Sequence, residues 1–182
     1  MRTLIALALG IAFASHAAAD DRAIGDLFAR QSVEGTMLLS SLRGGKTCVH
    51  NARRAKRRFA VASTFKIPNT LIALEEKAIT GKEEVLKWDG HTHDFPDWNR
   101  DQTLESAFKV SCVWFYQELA RRVGARKYRE YLRKMRYGKL HEPFKETEFW
   151  LDGSLQISAT EQVEFLRKVY RRSLPFSASS YD

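Results

Sequence analysis

Residues 61–76 read VASTFKIPNTLIALEE and place a serine and a lysine three residues apart at the start of an apolar helical pattern. Proline cannot sit deep in a helix, so Pro68 predicts a helix that begins close before it, near Ser63 to Lys66. We expect the same helix to end at Gly81. Residues i and i+3 share one face of a helix, and Lys66 would therefore lie within hydrogen-bond reach of Ser63.

The spacing of Ser63 and Lys66 suits nucleophilic catalysis. A serine hydroxyl is a poor nucleophile until a neighbouring group takes its proton. Lys66 can take that proton only as a neutral amine, and apolar neighbours such as Phe65 and Ile67 favour the neutral form by desolvation. A serine at a helix start also has outward backbone N–H groups, which supply half of an oxyanion hole. The pattern is equally compatible with an N-cap at Ser63 and a surface lysine.

The length of 182 residues and the hydrophobic fraction of 44% predict one globular domain with a substantial core. Residues 1–19 combine a basic start, an apolar run from Leu4 to Ala14 and an A-x-A site before Asp20. This pattern predicts a cleaved signal peptide and export to the periplasm, with residues 20–182 as the mature domain. No later apolar run reaches the length of about 20 residues that spans a bilayer.

The charge distribution bears on whether the protein binds nucleic acid. The formal net charge is +8, and basic residues concentrate at 53–58 and 121–139. Basic patches can bind nucleic acid, but no nucleic-acid motif accompanies these two, and solvated surfaces are the preferred interpretation.

The two cysteines, Cys48 and Cys112, would enter an oxidising compartment. A disulfide between them stays open, although unpaired buried cysteines are common and are favoured.

Hydrophobic patterning predicts a β-hairpin followed by a series of helices. A short helix is expected at 24–28, and two strand-like runs within 35–51 flank a Gly-Gly pair at 44–45 that is typical of hairpin turns. Residues 86–102 read as a polar and aromatic loop, and 149–158 as irregular. A two-stranded sheet is marginally stable alone, yet we expect no further strand in this chain.

Three later segments repeat apolar residues at helical spacing. The first ends at Gly124 and contains, at this spacing, Leu104, Ala107, Phe108, Ser111, Phe115, Leu119 and Val123. The second, residues 125–135, is expected to point inward Tyr128, Tyr131, Leu132 and Met135. The third, residues 160–170, carries on one side Val163, Leu166 and Tyr170.

Ser111 and Trp150 are further site candidates. Ser111 falls within an apolar stripe, where a hydroxyl is explained either by a site or by a bond back to the carbonyl of the preceding turn. Trp150 follows Phe149 and precedes a glycine turn, and its indole N–H needs a buried acceptor. Ordinary core packing explains Trp150 equally well.

Five motifs occur in order between about Gly35 and the C-terminus: STFKIPN, KWDG, WNRDQTLESAFKVSCVWFYQELA, YGK and FWLDGSLQISATEQVEFL. Together they resemble the class D serine β-lactamases, the oxacillinase family. The resemblance implies an α+β fold of the serine β-lactamase and penicillin-binding transpeptidase type, and hydrolysis of a β-lactam substrate. It implies no metal or other cofactor. The lack of a nucleic-acid motif and of a later apolar run of membrane-spanning length predicts no nucleic-acid partner and no integral membrane segment. His91 and His93 form an H-x-H pair, but they stand in a polar loop without further ligands.

The resemblance also implies a role for each site candidate. Ser63 would be the acylated nucleophile. Lys66 would be the general base in the form of N6-carboxylysine, with carbon dioxide held as a carbamate. Ser111 would relay a proton to the leaving nitrogen, Val113 would form an apolar wall beside the carbamate, and Trp150 would donate a hydrogen bond to it. The family interrupts its helix at Ser111, which implies two short helices in place of one long segment.

The chain departs from the family pattern in two places. Lys139 stands where the family's Y-G-N motif has asparagine, and its role stays open. The chain contains no K-T-G or K-S-G, the strand motif that follows the helical region in penicillin-recognising enzymes. We therefore expect a truncated or partial sequence, the N-terminal hairpin plus the helical lobe without the C-terminal sheet strands. Such a chain would not hydrolyse β-lactams. Without the central strands beside the hairpin, three apolar residues would be uncovered: Met37, Leu39 and Val49.

Three alternatives to hydrolysis stay open from the sequence. One is a non-catalytic fragment. Another is the penicillin-sensing domain of a receptor, which is acylated without turnover; the signal sequence and the lack of a membrane span argue against it. The third is a nucleic-acid binder, which a salt-dependent gel shift would reveal.

Overall fold

The computed structural model of the protein describes residues 22–43 and 47–182. The expected signal peptide, residues 1–19, and the Gly-Gly pair at 44–45 lie outside the described residues. None of the helices within the described ranges has the length and apolar composition that crossing a bilayer requires.

The N-terminal part is a helix followed by a hairpin. Helix α1 covers Arg22–Arg30, and strands β1 (Met37–Ser40) and β2 (Thr47–His50) pair antiparallel. The hairpin prediction is confirmed. Met37 and Leu39 are exposed as expected, but Val49 is buried, so its expected lack of cover was wrong. Side chains alternate between the faces of a strand, and Val49 pairs with half-buried Leu38 on the face opposite to Met37 and Leu39.

A second sheet of three strands lies next to the helices. Strands β3 (Arg58–Ala60), β4 (Lys139–Leu140) and β5 (Leu155–Ser158) form an antiparallel sheet in the order β3-β5-β4. The prediction that no further strand exists was therefore wrong, and the prediction that 149–158 is irregular was right for 149–154 but wrong for 155–158. The central strand β5 buries three of its four residues, so it lacks the alternation that marks a half-buried strand. The other two are too short to show a period.

The remaining helices, apart from the short α2 beside β2, surround one aromatic-rich core. In chain order they are α2 (Ala52–Ala55), α3 (Lys66–Glu75), α4 (Leu104–Lys109), α5 (Val113–Val123), α6 (Ala125–Met135) and α7 (Ala159–Tyr170). Helix α3 packs on α5 and α5 on α6, while α7 packs on β1 and β5. The four residues of α6 expected to face inward are all buried, as the helical spacing predicted.

Helix α3 ends at Glu75, and the prediction that it ends at Gly81 was wrong. Lys77 adopts a left-handed conformation with φ 55°. Its N–H donates to the Leu74 carbonyl at 3.1 Å, and the Ala78 N–H donates to the Ala73 carbonyl at 2.8 Å. These two bonds are a Schellman motif, which usually requires glycine at the left-handed position. A lysine takes that position in this chain, so the sequence carries no stop signal there.

Helix α7 presents a different face to the core from the one its spacing suggested. Leu166 and Tyr170 are exposed by 39% and 64%, whereas Phe165 is buried. The Phe165 ring packs edge-on against Tyr137 with centroids 4.7 Å apart. The apolar residues of this helix occupy two faces, and the contact with Tyr137 decides which face is buried. Val163 is half-buried.

Candidate active site

Ser63 lies in a single 3-10 turn, Ala62–Phe65, that runs directly into α3. Ala62 just before it has φ 44°, a left-handed conformation that an L side chain rarely adopts. The Ala62 N–H donates to the Trp150 carbonyl at 2.9 Å, which holds this strained entry against the turn before β5. Ser63 is exposed at the surface, while Lys66, one turn later, is only 4% exposed.

The Ser63 hydroxyl oxygen lies between two hydrogen-bond donors. Lys66 Nζ donates to Ser63 Oγ at 3.0 Å, and Ser111 Oγ donates to the same oxygen at 3.1 Å. Lys66 and Ser111 are therefore both within hydrogen-bond reach of Ser63. Neither alternative interpretation of the two serines applies, because Ser63 caps no helix and Ser111 bonds to Ser63 in place of a preceding carbonyl.

Burial governs the electrostatics of Lys66. Desolvation lowers the pKa of Lys66, and the nearby Cys112 thiol acts in the opposite direction with a smaller effect. The Tyr116 ring lies 5.4 Å from Nζ, a cation–π distance that favours the charged amine. Burial raises the pKa of Tyr116 to about 12, so its phenol stays neutral and is paired with Thr70 at 3.1 Å. The dominant influence on Lys66 therefore favours a neutral amine, the form that can accept a proton.

Ser111 reaches Ser63 because the chain turns sharply at that residue. Its φ is 56°, and it stands between the end of α4 and the start of α5. The Cys112 N–H donates to the Ala107 carbonyl at 2.9 Å, which closes the end of α4. The interruption implied by the resemblance is thus present, and the single long segment suggested by apolar spacing is not.

Trp150 is buried beside the Ser63 turn. It is 1% exposed and stacks on Phe65, the residue before Lys66, with centroids 5.7 Å apart. Among the described residues its indole N–H has no hydrogen-bond acceptor. Val113 begins α5 and is half-buried. Lys139 is exposed in β4, opposite Gln156.

The glycine of the YGK motif has a clear structural reason. Gly138 has φ 58°, and a Cβ added there would lie 2.2 Å from the Gln156 carbonyl oxygen. Only glycine permits so close an approach to the central strand β5. Tyr137 before it is buried against Phe65, with centroids 6.1 Å apart, so the motif anchors the sheet to the residue adjoining Lys66.

Several residues around the site escaped the sequence analysis. Tyr116 beneath Lys66 had a weak signal, since it follows the site motif by one helical turn. Trp98 donates its indole N–H to the Val110 carbonyl at 2.9 Å, directly before Ser111, and no spacing rule connects it with that residue. Cys48 and Cys112 are both free, as favoured from the sequence. Within residues 22–43 and 47–182, no group of three or more His, Cys, Asp or Glu side chains could hold a metal ion.

This chain is similar to known proteins over most of its length. The penicillin binding protein transpeptidase domain matches residues 31–181. Beta-lactamase OXA-20 of Pseudomonas aeruginosa is 43% identical over 154 residues, which cover 84% of this chain and 58% of that protein. Beta-lactamase OXA-5 of the same organism is 36% identical over 184 residues, which cover 99% of this chain and 69% of the relative.

The solved structures show the same relationship. The crystal structure of FUS-1 (OXA-85), a class D β-lactamase from Fusobacterium nucleatum subsp. polymorphum, superposes with a TM-score of 0.86 at 36% identity. The superposition covers 89% of this chain and 67% of the other. Against the curated relatives, the chain spans little more than half of their length, 58% of OXA-20 and 55% of OXA-2.

Proposed function

The chain belongs to the class D β-lactamase family, and from this premise we propose that it opens β-lactams through an acyl-enzyme on Ser63. This proposal replaces the expectation, drawn from the missing K-T-G motif, that the chain does not hydrolyse β-lactams. The observation that carries the proposal is the position of Ser63 Oγ, 3.0 Å from Lys66 Nζ and 3.1 Å from Ser111 Oγ. An exposed hydroxyl next to a buried amine combines access for the substrate with a base of lowered pKa.

In the proposed acylation, the Lys66 side chain takes the proton of Ser63 as Oγ attacks the β-lactam carbonyl carbon. The Oγ–C bond forms, and the ring C–N bond breaks. The departing nitrogen receives a proton through the Ser111 hydroxyl, which already touches Ser63 Oγ. The backbone N–H of Ser63 lies in the first turn of a helix, where such groups have no intrahelical partner, and it supplies one donor to the developing oxyanion.

We propose that Lys66 works as N6-carboxylysine. The site suits this modification, because the amine is almost fully buried and its pKa is lowered, and only a neutral amine captures carbon dioxide. The Trp150 indole N–H, which has no acceptor within the described part of the chain, would serve the carbamate oxygens, and Val113 would shield one side. The modification would supply a carboxylate-type base in place of an ammonium, which has no lone pair to accept a proton, and it would also activate the water for deacylation.

The decisive experiment maps the acyl adduct. After brief exposure to benzylpenicillin, peptide mass spectrometry should place a mass increase equal to the intact penicillin on the peptide that contains Ser63. Ser63→Ala should show none, and Ser41→Ala, an exposed serine in the hairpin region, should keep the adduct. An adduct on any other serine would reject the assignment.

The fate of the adduct separates hydrolysis from sensing. A β-lactamase loses the adduct and releases the opened product repeatedly, whereas a penicillin-sensing domain keeps it. We expect release within the time of the assay.

We also propose that residues 1–19 direct export to the periplasm. Fractionation of cells that express the chain should find it in the periplasmic fraction, and recovery only from the cytoplasm would contradict this proposal.

A further inference from the structure

Two hydrogen bonds from tryptophan side chains connect the Ser111 turn to the loop that carries Trp98. The Trp98 indole N–H donates to the Val110 carbonyl at 2.9 Å, and the Trp114 indole N–H donates to the Trp98 carbonyl at 2.8 Å. Val110 precedes Ser111 directly, and Trp114 follows it by three residues. We call Trp98 and Trp114 together the tryptophan clamp.

Ser111 needs such support because its backbone is strained. Its φ of 56° places an L side chain in the left-handed region. Its own N–H makes only a long bond of 3.3 Å to the Phe108 carbonyl. Ser111 Oγ lies 3.1 Å from Ser63 Oγ, which is 48 positions earlier in the chain. Relaxation of the Ser111 backbone would rotate its hydroxyl out of this contact.

The clamp is itself held in place from the α4 side. Gln102 is fully buried, and its side-chain amide donates to the Asp97 carbonyl, next to Trp98, at 2.7 Å. Its side-chain oxygen accepts from Ser106 Oγ at 2.6 Å, within the first turn of α4. The loop that carries Trp98 is therefore tied to the helix that leads into Ser111.

We propose that Trp98 and Trp114 are positioning residues that hold the Ser111 hydroxyl against Ser63, an inference that rests on the proposed acylation of Ser63. The Trp98 indole N–H binds the carbonyl directly before the strained turn, and Trp114, three residues after Ser111, binds the Trp98 carbonyl. Neither residue needs to touch the substrate for this role. The consequence is that removal of one N–H, with a smaller aromatic ring in place of the indole, slows proton transfer through Ser111 without loss of the fold.

The test compares Trp98→Phe with Trp88→Phe. Trp88 is the matched control, because its indole N–H also donates to a backbone carbonyl of the same loop, that of His91 at 2.9 Å, but far from Ser111 in the chain. The rate constant of acylation by benzylpenicillin should fall roughly three- to tenfold in Trp98→Phe, the effect of losing one hydrogen bond. The penicillin concentration that gives half of the maximal acylation rate should stay unchanged. Trp114→Phe should change acylation in the same direction, and Trp88→Phe should leave it unchanged.

A double-mutant cycle distinguishes positioning from general support. If Trp98 acts through Ser111, the effect of Trp98→Phe should disappear in a Ser111→Ala background, because the two residues then belong to one unit. A slowing of equal size in both backgrounds would overturn the proposal, since Trp98 would then act by another route.

Amide hydrogen exchange tests the clamp independently of any reaction. The amides of Ser111 and Cys112 should exchange faster in Trp98→Phe than in the parent, and at parental rates in Trp88→Phe. Unchanged exchange at Ser111 and Cys112 in Trp98→Phe would overturn the proposal. If the parent protein takes up no penicillin at all, the proposed function fails, while the exchange result still decides whether the clamp positions Ser111.

Discussion

Lys66 illustrates how burial changes a single residue. The side chain is 4% exposed, and desolvation lowers its pKa from the ordinary 10.5. Between the lowered pKa of the folded state and 10.5, the unfolded chain therefore binds more protons at this position than the folded one. The residue costs stability there, and the cost falls as pH rises toward 10.5. The burial that suits Lys66 for catalysis therefore lowers the stability of the fold.

The first prediction concerns bicarbonate and pH. Penicillin turnover should rise with added bicarbonate and fall at mildly acid pH, because a protonated carbamate loses carbon dioxide. Trp150→Ala should make the bicarbonate dependence steeper, since the carbamate loses a donor, and should cost about 3–5 kcal/mol of stability as a large core deletion. Initial rates in degassed buffer with stepwise bicarbonate measure the effect; Trp88→Phe is the control. Rates independent of bicarbonate in both parent and Trp150→Ala would reject the carbamate.

Helix α7 shows how one element is fixed to its neighbours. Ser158 Oγ accepts from the Glu161 N–H at 3.2 Å, and the Glu161 carboxylate accepts from the Ser158 N–H at 2.9 Å, which forms a capping box. Arg58 in β3 donates to the same carboxylate through Nε at 3.0 Å. These bonds lower the pKa of Glu161 to about 2, and the bond from Arg58 has a larger effect than those from Ser158. One carboxylate therefore joins α7 to two strands of the second sheet.

The second prediction follows from that shift. Glu161 has a lowered pKa in the folded state, so its contribution is complete above pH 4.5 and is lost as pH falls toward about 2. Glu161→Gln should lower the free energy of unfolding at pH 7 by about 1 kcal/mol, a value that allows for partial solvent screening. Urea unfolding at pH 7 and near pH 2 measures the difference.

Glu164→Gln is the matched control in the same helix. Glu164 contacts Arg167 only at 3.9 Å with its side chain 57% exposed, so its replacement should change stability by less than about 0.5 kcal/mol at either pH. Equal losses in the two variants would contradict the special role of Glu161.

At the scale of the whole molecule, one ring connects the Ser63 turn to the core. Phe65 is fully buried, and four aromatic rings lie within about 6 Å of it in the usual packing range. They come from α6, from the YGK motif and from the segment before β5: Tyr128, Tyr137, Phe149 and Trp150. The turn that presents Ser63 is therefore rigid because the residue two positions later is part of the central core.

The third prediction concerns Phe65. Phe65→Ala should lower the free energy of unfolding by about 3–5 kcal/mol through lost burial and a cavity, a large part of the 5–15 kcal/mol typical of a domain. Phe108→Ala, at a residue 48% exposed, should cost less than about 1 kcal/mol. Urea unfolding followed by circular dichroism measures both. Similar costs for the two variants would show that Phe65 does not hold the core together.

Local patterns were sufficient for features set by residues close in the chain. The spacing of Ser63 and Lys66 places their side chains 3.0 Å apart because the helix itself determines that geometry. The inward face of α6 and the β1–β2 hairpin follow from periodicity and turn residues in the same way. The sequence motifs also indicated the family and singled out Ser111 as a site candidate.

Tertiary packing decided the features that depend on residues far apart in the chain. Strand β5 is a strand because β3, about 100 positions earlier, and β4 pair with its two edges, and its own sequence has no alternation. Phe165 is the buried residue of α7 because the Tyr137 ring meets it there. The contact between Ser111 and Ser63 requires the α4–α5 turn to lie beside the Ser63 turn, and the Trp98 bond requires the loop before α4 to lie against Val110. No local pattern encodes these contacts, because their energy is gained only when distant segments meet.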